Sequence, residues 1–117
     1  MATILAQDEV GGLEIERPDG ARLAAPPLPG AFVCNIGDLF ARWTNDVFRS
    51  TPHRVINAST ERDRYSVAYF FDPNLDAVVA CLPQFCAGAA ANYPPVRFVD
   101  YFAARLDSNY ARSGIAL

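Results

Sequence analysis

A mainly β fold, half of a sandwich or jelly roll followed by one C-terminal helix, is what this sequence predicts. Three observations predict it. Short apolar stretches recur through the first two thirds of the chain, separated by turn residues such as Gly11-Gly12, Pro18-Asp19-Gly20 and Asp72-Pro73. Some of them alternate with period two, as in Leu13-Glu14-Ile15-Glu16. From Val96 the period changes, and Val96, Val99, Phe102, Ala103 and Leu106 recur every three or four residues.

The elements follow in order. The opening run ATILAQ, residues 2–7, suits a buried strand. In the next strand Leu13 and Ile15 share one face, and Glu14 and Glu16 share the other. Pro18-Asp19-Gly20 is a hairpin turn, because proline presets φ and glycine supplies φ > 0. Residues 31–36 read as a continuous buried strand stopped at Gly37. Asp38 is placed to N-cap one or two helical turns in which Leu39, Phe40 and Trp43 fall at helical spacing. HRVIN is a strand, ASTERD a polar turn, and RYSVAYFFDP a second strand ending at Asp72-Pro73. AVVACLP is a further strand or extended segment. Pro94-Pro95 stands where proline is tolerated at a helix start, so an amphipathic helix is expected over about 95–112.

One hundred and seventeen residues make a single domain, or a piece of a larger one. The chain is 51% apolar and 20% charged, with eight Phe, five Tyr and one Trp, so it has material for a core and is not of disordered composition. A net charge of −3 gives no electrostatic reason to expect a nucleic acid or an anionic membrane surface as partner. No apolar run approaches the roughly 18 residues that span a bilayer, and MATILAQDEV lacks the basic and apolar regions of a signal peptide. Cys34, Cys81 and Cys86 are odd in number and contain no Cys-x-x-Cys pair, which predicts reduced thiols in a cytoplasmic protein. With one histidine, a structural zinc site is not expected.

That histidine, His53, stands in the stretch RSTPHRVIN. One imidazole alone makes neither a metal site nor a catalytic triad, and a hydrogen-bonded structural role is open to it. Further on, Arg64 and Ser66 are two apart, so both side chains leave the same face of a strand. If that face points inward, the guanidinium needs an anion, and a carboxylate suits it, held bidentately while the hydroxyl adds a hydrogen bond. The alternative is an arginine paired with Glu61 or Asp63 on the exposed turn.

PGAFVCNIGDLFARWTNDVFRSTPHRVIN, followed by RYSVAYFFDP, closely resembles the C-terminal half of iron(II)- and 2-oxoglutarate-dependent dioxygenases of the isopenicillin N synthase-like family. The match extends to TILAQDEVGGLEI at the start and YPPVRFVDYFAARLDSNYAR at the end, nearly the whole chain. Asn-x-Gly-Asp with Trp-Thr-Asn, Thr-x-His-Arg-Val and Arg-x-Ser are specific in combination, although each alone is weak.

The resemblance implies a partial double-stranded β-helix, or jelly roll, occupying 1–117 as one truncated domain with the C-terminal helix. It implies Fe(II) as cofactor and 2-oxoglutarate as co-substrate in the complete enzyme, with a small-molecule substrate oxidised by O₂ as 2-oxoglutarate is decarboxylated to succinate. It assigns His53 as the distal histidine of the iron site, and Arg64 and Ser66 as the pair that grips the distal carboxylate of 2-oxoglutarate. Antiparallel neighbouring strands, joined by the NASTERD turn, are expected to bring His53 and Arg64 together. Asn35, Gly37 and Asp38 would shape a turn, Trp43 and Phe48 pack beneath it, and Phe70 and Phe71 belong to the core.

In the family the other two ligands form a His-x-Asp motif just ahead of the TILAQDEVGGL stretch, which here begins at Thr3. The expectation is a chain that starts downstream of two thirds of its iron site, with Asp8 and Glu9 lying beyond the ligand position. Such a half jelly roll leaves sheet edges and a core face unpaired, so self-association or a complementing chain through those edges is expected. At about 25 cal/mol per Å² the lost burial exceeds a small domain's stability of roughly 5–15 kcal/mol. Two readings stand: the C-terminal part of a 2-oxoglutarate oxygenase, and a non-catalytic remnant or interaction module without the iron chemistry.

Overall fold

Strands distant in the chain pair antiparallel to build two three-stranded sheets, whose inner faces line one cavity. The computed structural model of the chain describes residues 1–57, 59–86, 88 and 90–113. In chain order the elements are β1 (Ala2–Gln7), β2 (Leu13–Glu16), β3 (Arg22–Ala24), β4 (Val33–Ile36), α1 (Asp38–Trp43), β5 (His53–Val55), β6 (Ser66–Phe71), β7 (Val78–Val79), β8 (Val96–Arg97) and α2 (Phe98–Ser113). One sheet has the order β4-β1-β6, the other β3-β2-β5, and β7 pairs with β8. This is the mainly β, jelly-roll-like arrangement with a C-terminal helix that the sequence predicts.

Alternation sets the register. On the inner side Thr3, Leu5 and Gln7 stand opposite Phe70, Ala68 and Ser66, while Leu13 and Ile15 stand opposite Val55 and His53. On the outer side Glu14 faces Arg54 and Glu16 faces Arg22, and both pairs close as ion pairs, at 2.8 and 2.5 Å. Slipping either neighbour of β2 by one residue would break a charge pair and turn Leu13 and Ile15 outward. The β2–β3 hairpin turns at Pro18-Asp19-Gly20: Gly20 has φ +80, its N–H donates to the Arg17 carbonyl, and the Asp19 carboxylate accepts from the Ala21 N–H. At Gly12, with φ +86, a Cβ would fall on the Ile56 carbonyl, so only glycine lets the two backbones meet there.

The most buried cluster, Leu39, Val79 and Phe98, lies outside the two larger sheets. There α1, the β7–β8 ribbon and α2 converge, with Trp43, Val96 and Tyr101 packed around it. Thr44, buried at the C-cap of α1, donates its hydroxyl to the Phe40 carbonyl at 2.9 Å and accepts from the Phe48 N–H at 3.2 Å. No helix among the described residues is long and apolar enough to cross a membrane.

Several expectations change. Phe70 and Phe71 are not core: they are 65% and 57% exposed, and all six residues of β6 are exposed, because β6 has β1 on one side and no strand on the other among the described residues. The strand expected over 31–36 is regular only from Val33, since Ala31 and Phe32 extend past the end of the β1 pairing and are exposed. Asp38 is the first residue of α1 rather than its cap; Gly37 holds the N-cap position, in extended backbone. Trp43 does pack against the core, whereas Phe48 is 46% exposed and meets Phe40 and Phe85 edge to face. The C-terminal helix begins at Phe98, because Val96 and Arg97 pair with Val79 and Val78 as β8. The expected strand AVVACLP is reduced to the two residues of β7.

Two corrections bear on chemistry. β5 and β6 are not paired neighbours: β5 adds to β2 and β6 to β1, so the chain between them crosses from one sheet to the other instead of making a hairpin. The cysteines are not all reduced thiols. Cys81 and Cys86 are joined in a disulfide across the 3₁₀ turn Pro83–Phe85, which reverses the chain and brings their Cα atoms to 6.5 Å. Cys34 is free and exposed.

Candidate functional site

The inner faces of the two sheets enclose a cavity of about 270 Å³. Its walls are largely apolar, with Leu5, Leu13, Ile15, Val33 and Val55 among them, and three polar groups share it: His53 from β5, Ser66 from β6, and Arg64 from the segment leading into β6. The crossover just described is what sets them face to face. Among the described residues that line it, none is acidic. An imidazole and a guanidinium in an apolar enclosure favour an anionic occupant.

His53 is oriented by its backbone. Nδ1 lies 3.0 Å from the Thr51 carbonyl oxygen, which can only accept, so Nδ1 carries the proton and donates. In the neutral ring this tautomer puts the lone pair on Nε2, to which no hydrogen bond is found among the described residues. A carbonyl fixing one ring nitrogen so that the other presents its lone pair is the arrangement of a metal-ligating histidine. Among the described residues no group of three His, Cys, Asp or Glu side chains is placed to hold a metal ion.

Arg64 is half-buried and held by neutral acceptors: Nε donates to the Gly11 carbonyl at 2.5 Å, Nη1 to the Ser66 hydroxyl at 3.0 Å and Nη2 to the Gln7 side-chain oxygen at 3.4 Å. Neither Glu61 nor Asp63 pairs with it; the ion pair of that turn joins Arg62 to Glu9. The 3.0 Å contact to Ser66 also verifies the shared face that the i, i+2 spacing implies. A guanidinium that satisfies three donors on neutral oxygens keeps its charge for a ligand, and the Ser66 hydroxyl, accepting from Arg64, still has its own proton to donate.

The sequence placed Thr51 in Thr-x-His-Arg-Val and Gly11 in a turn, but it assigned neither of them, nor Gln7, to aiming these three side chains. Gln7 was findable, since it continues the inner-face alternation of Thr3 and Leu5. The two carbonyls carry no side-chain signal at all. Beside the cavity, Asp8 accepts the Tyr65 N–H at 2.5 Å and the Val10 N–H at 3.0 Å. The Tyr65 bond leads in holding the Asp8 carboxyl below its ordinary value, partial burial opposing, with help from Val10 and the charges of Arg64 and Arg62.

A second polar cluster joins α1 to α2 around a cleft of about 420 Å³. Arg42 lies over the Tyr93 ring, 4.7 Å from its centroid, and donates to the Pro94 carbonyl. Asp38 accepts from the Tyr101 hydroxyl at 3.1 Å and pairs with Arg105 at 2.9 Å. Burial raises the Asp38 carboxyl, but hydrogen bonds from Ser50 and Tyr101 and the charge of Arg105 outweigh it, leaving Asp38 below its ordinary 3.8. Tyr101, half-buried and facing Asp38, is pushed up to about 12, chiefly by that burial. A depressed folded-state carboxyl contributes stability that is full above 3.8 and lost as the pH falls through the lower folded value. Asp38→Asn is therefore expected to lower the melting temperature near neutral pH, with the difference from wild type shrinking as the pH falls through and below 3.8. Melts recorded across that range check it, and a pH-independent difference would contradict it.

Comparisons with known proteins agree with this geometry. The family model described as the 2OG-Fe(II) oxygenase superfamily matches residues 1–73. The chain is 44% identical over 113 residues, 95% of its length, to the 2-oxoglutarate-Fe(II) type oxidoreductase hxnY of Emericella nidulans, of which it covers 32%. It is 37% identical over 114 residues to a homoarginine-6-hydroxylase of rice, covering 94% of this chain and 34% of that protein. Among solved structures, a full-length Neurospora crassa protein crystallised in complex with alpha-KG, that is 2-oxoglutarate, superposes on 93% of this chain and 35% of its own, with a TM-score of 0.83 and 37% identity. The rice dioxygenase for auxin oxidation superposes on 93% of this chain and 38% of its own, with a TM-score of 0.82 and 32% identity. The chain thus spans about a third of the length of these relatives.

Proposed function

We propose, since this chain belongs to the 2OG-Fe(II) oxygenase superfamily, that it is the cofactor-anchoring part of an oxygenase that oxidises a small organic molecule with O₂ while 2-oxoglutarate is converted to succinate and CO₂. The observation that carries the reading is the pairing, across one cavity, of an imidazole with a free Nε2 and a guanidinium that has no carboxylate partner among the described residues. In this reading His53 Nε2 is one ligand of the iron, and Arg64 with Ser66 holds the distal carboxylate of 2-oxoglutarate. Iron bound there supplies the activation of O₂; the remaining two positions of a facial triad would come from residues outside this sequence. This chain's part is to bind, orient and keep water away. Leu5, Leu13 and Val33 exclude solvent, while Arg64 and Ser66 fix one end of the co-substrate.

The outer edge of β6 completes the reading. Six exposed residues, Ser-Val-Ala-Tyr-Phe-Phe, with backbone donors and acceptors facing away from β1, favour addition of a further strand, from the rest of a longer protein or from a second copy. The test is to express the full-length protein that contains this chain, load it anaerobically with iron, and measure succinate formed from 2-oxoglutarate under O₂. Iron-dependent succinate supports the proposal. A folded, full-length protein that binds neither iron nor 2-oxoglutarate would leave the chain as a scaffold without the chemistry. The 117-residue chain alone is expected to self-associate, and light scattering that shows a monomer would overturn the strand-addition part.

A further inference from the structure

We infer that Gln7 is a positioning residue that aims the Arg64 guanidinium into the cavity without neutralising it, an inference that rests on Arg64 being the carboxylate anchor. Gln7 stands on β1 directly opposite Ser66 on β6. Its side-chain amide is tied at both ends: Nε2 donates to the Ala25 carbonyl at 3.3 Å, and Oε1 accepts from Arg64 Nη2 at 3.4 Å. Only one amide orientation satisfies both neighbours, because a carbonyl can only accept and a guanidinium can only donate. Ala25 follows β3, in the opposite sheet, so Gln7 spans the interior and ties the anchor to both sheets.

The count of donors explains why an amide suits the position. A guanidinium has five N–H groups. Gly11 takes the one on Nε, Ser66 one on Nη1 and Gln7 one on Nη2, which leaves one on each terminal nitrogen for an incoming carboxylate. A carboxylate at position 7 would lose the bond to the Ala25 carbonyl and form an ion pair with Arg64, and so compete with the ligand. A neutral oxygen orients the guanidinium and leaves its charge unspent. Next to it, Asp8 does for the backbone what Gln7 does for the side chain: it accepts from the Tyr65 N–H, and its own N–H donates to the Tyr65 carbonyl at 3.1 Å, locking the residue between Arg64 and Ser66.

The test compares two ligands in the iron-loaded full-length enzyme by calorimetry: 2-oxoglutarate, and 2-oxopentanoate, which carries a methyl group in place of the distal carboxylate. Gln7→Leu is expected to weaken 2-oxoglutarate about ten-fold and to change 2-oxopentanoate by less than about two-fold, since it disturbs only the grip on the far end. Gln7→Glu is nearly isosteric, gives up the Ala25 bond as Gln7→Leu does and adds a negative charge against Arg64, and it is expected to weaken 2-oxoglutarate further than Gln7→Leu does. Equal weakening of both ligands by Gln7→Leu would show a structural role and overturn the inference, as would a Gln7→Glu variant that binds 2-oxoglutarate as wild type does. If Gln7→Leu does not fold, Gln7→Glu decides alone. An Arg64→Ala enzyme that still prefers 2-oxoglutarate over 2-oxopentanoate would overturn the reading of Arg64 itself. Loss of that preference in Arg64→Ala, with none in either Gln7 variant, would overturn the role of Gln7 alone.

Discussion

Arg64→Ala in the full-length enzyme is expected to raise the KM for 2-oxoglutarate on the order of 100-fold, with far less effect on turnover at saturating co-substrate. The estimate follows from what the substitution removes. Two free guanidinium N–H groups facing a carboxylate make charge-assisted hydrogen bonds worth about 1.5 to 3 kcal/mol each, and every 1.4 kcal/mol is a factor of about ten in affinity. The cavity offers no other cation to take over, because His53 is the remaining basic group of its lining and its free Nε2 is the proposed metal ligand. Arg64→Lys should recover only part of the loss. An ammonium keeps the charge but cannot reach the Gly11 carbonyl, the Ser66 hydroxyl and the ligand together as the planar fork does. Ser66→Ala should raise KM less than Arg64→Ala, since it removes one neutral partner of the same carboxylate. Initial rates over a range of 2-oxoglutarate check all three, and an unchanged KM in Arg64→Ala would refute the anchor.

His53→Ala is expected to abolish iron-dependent turnover and to lower iron affinity by at least about 100-fold, beyond the 10- to 100-fold typical of losing an outer-shell partner. The ring is already committed to presenting Nε2, through its Nδ1 bond to the Thr51 carbonyl, so the substitution removes a preorganised ligand. Metal content of the purified variant, measured with turnover, separates the two effects. A variant that keeps its iron and loses only activity would move His53 from ligand to acid–base or positioning work. Neither substitution should unfold the protein, because His53 is exposed and Arg64 half-buried, outside the Leu39–Val79–Phe98 cluster.

Local chemistry was legible in the sequence wherever one residue type dictates one geometry. Pro18-Asp19-Gly20 makes the predicted turn, and the Leu13–Glu16 alternation places its apolar side chains inside and its acids outside, where the arginines of β3 and β5 meet them. The shared face of Arg64 and Ser66 followed from strand geometry alone. Partnership between strands was not legible. The polar stretch before Arg64 reads as a hairpin turn, yet β5 and β6 find partners 38 and 59 or more residues back, in different sheets, because β2 and β1 offer matching apolar faces. Phe70 and Phe71 look like core from composition, and their exposure depends on whether a further strand covers β6, which no local pattern encodes. The Cys81–Cys86 pairing was missed for a similar reason. Four intervening residues bring two thiols together only once Pro83 nucleates a tight turn.

The order in which the strands enter their sheets sets the timing of assembly during synthesis. Reading along the chain, β2, β3 and β5 enter one sheet and β1, β4 and β6 the other, and β1 must wait for β6 before its second side is filled. At roughly 5–20 residues per second, the ribosome delivers that partner several seconds after β1 has emerged. Until then the nascent segment has nowhere to bury Leu5, and the pocket has neither its guanidinium nor its hydroxyl. Completion of the pocket thus waits for β6 and the turn before it, which bring Ser66 and Arg64.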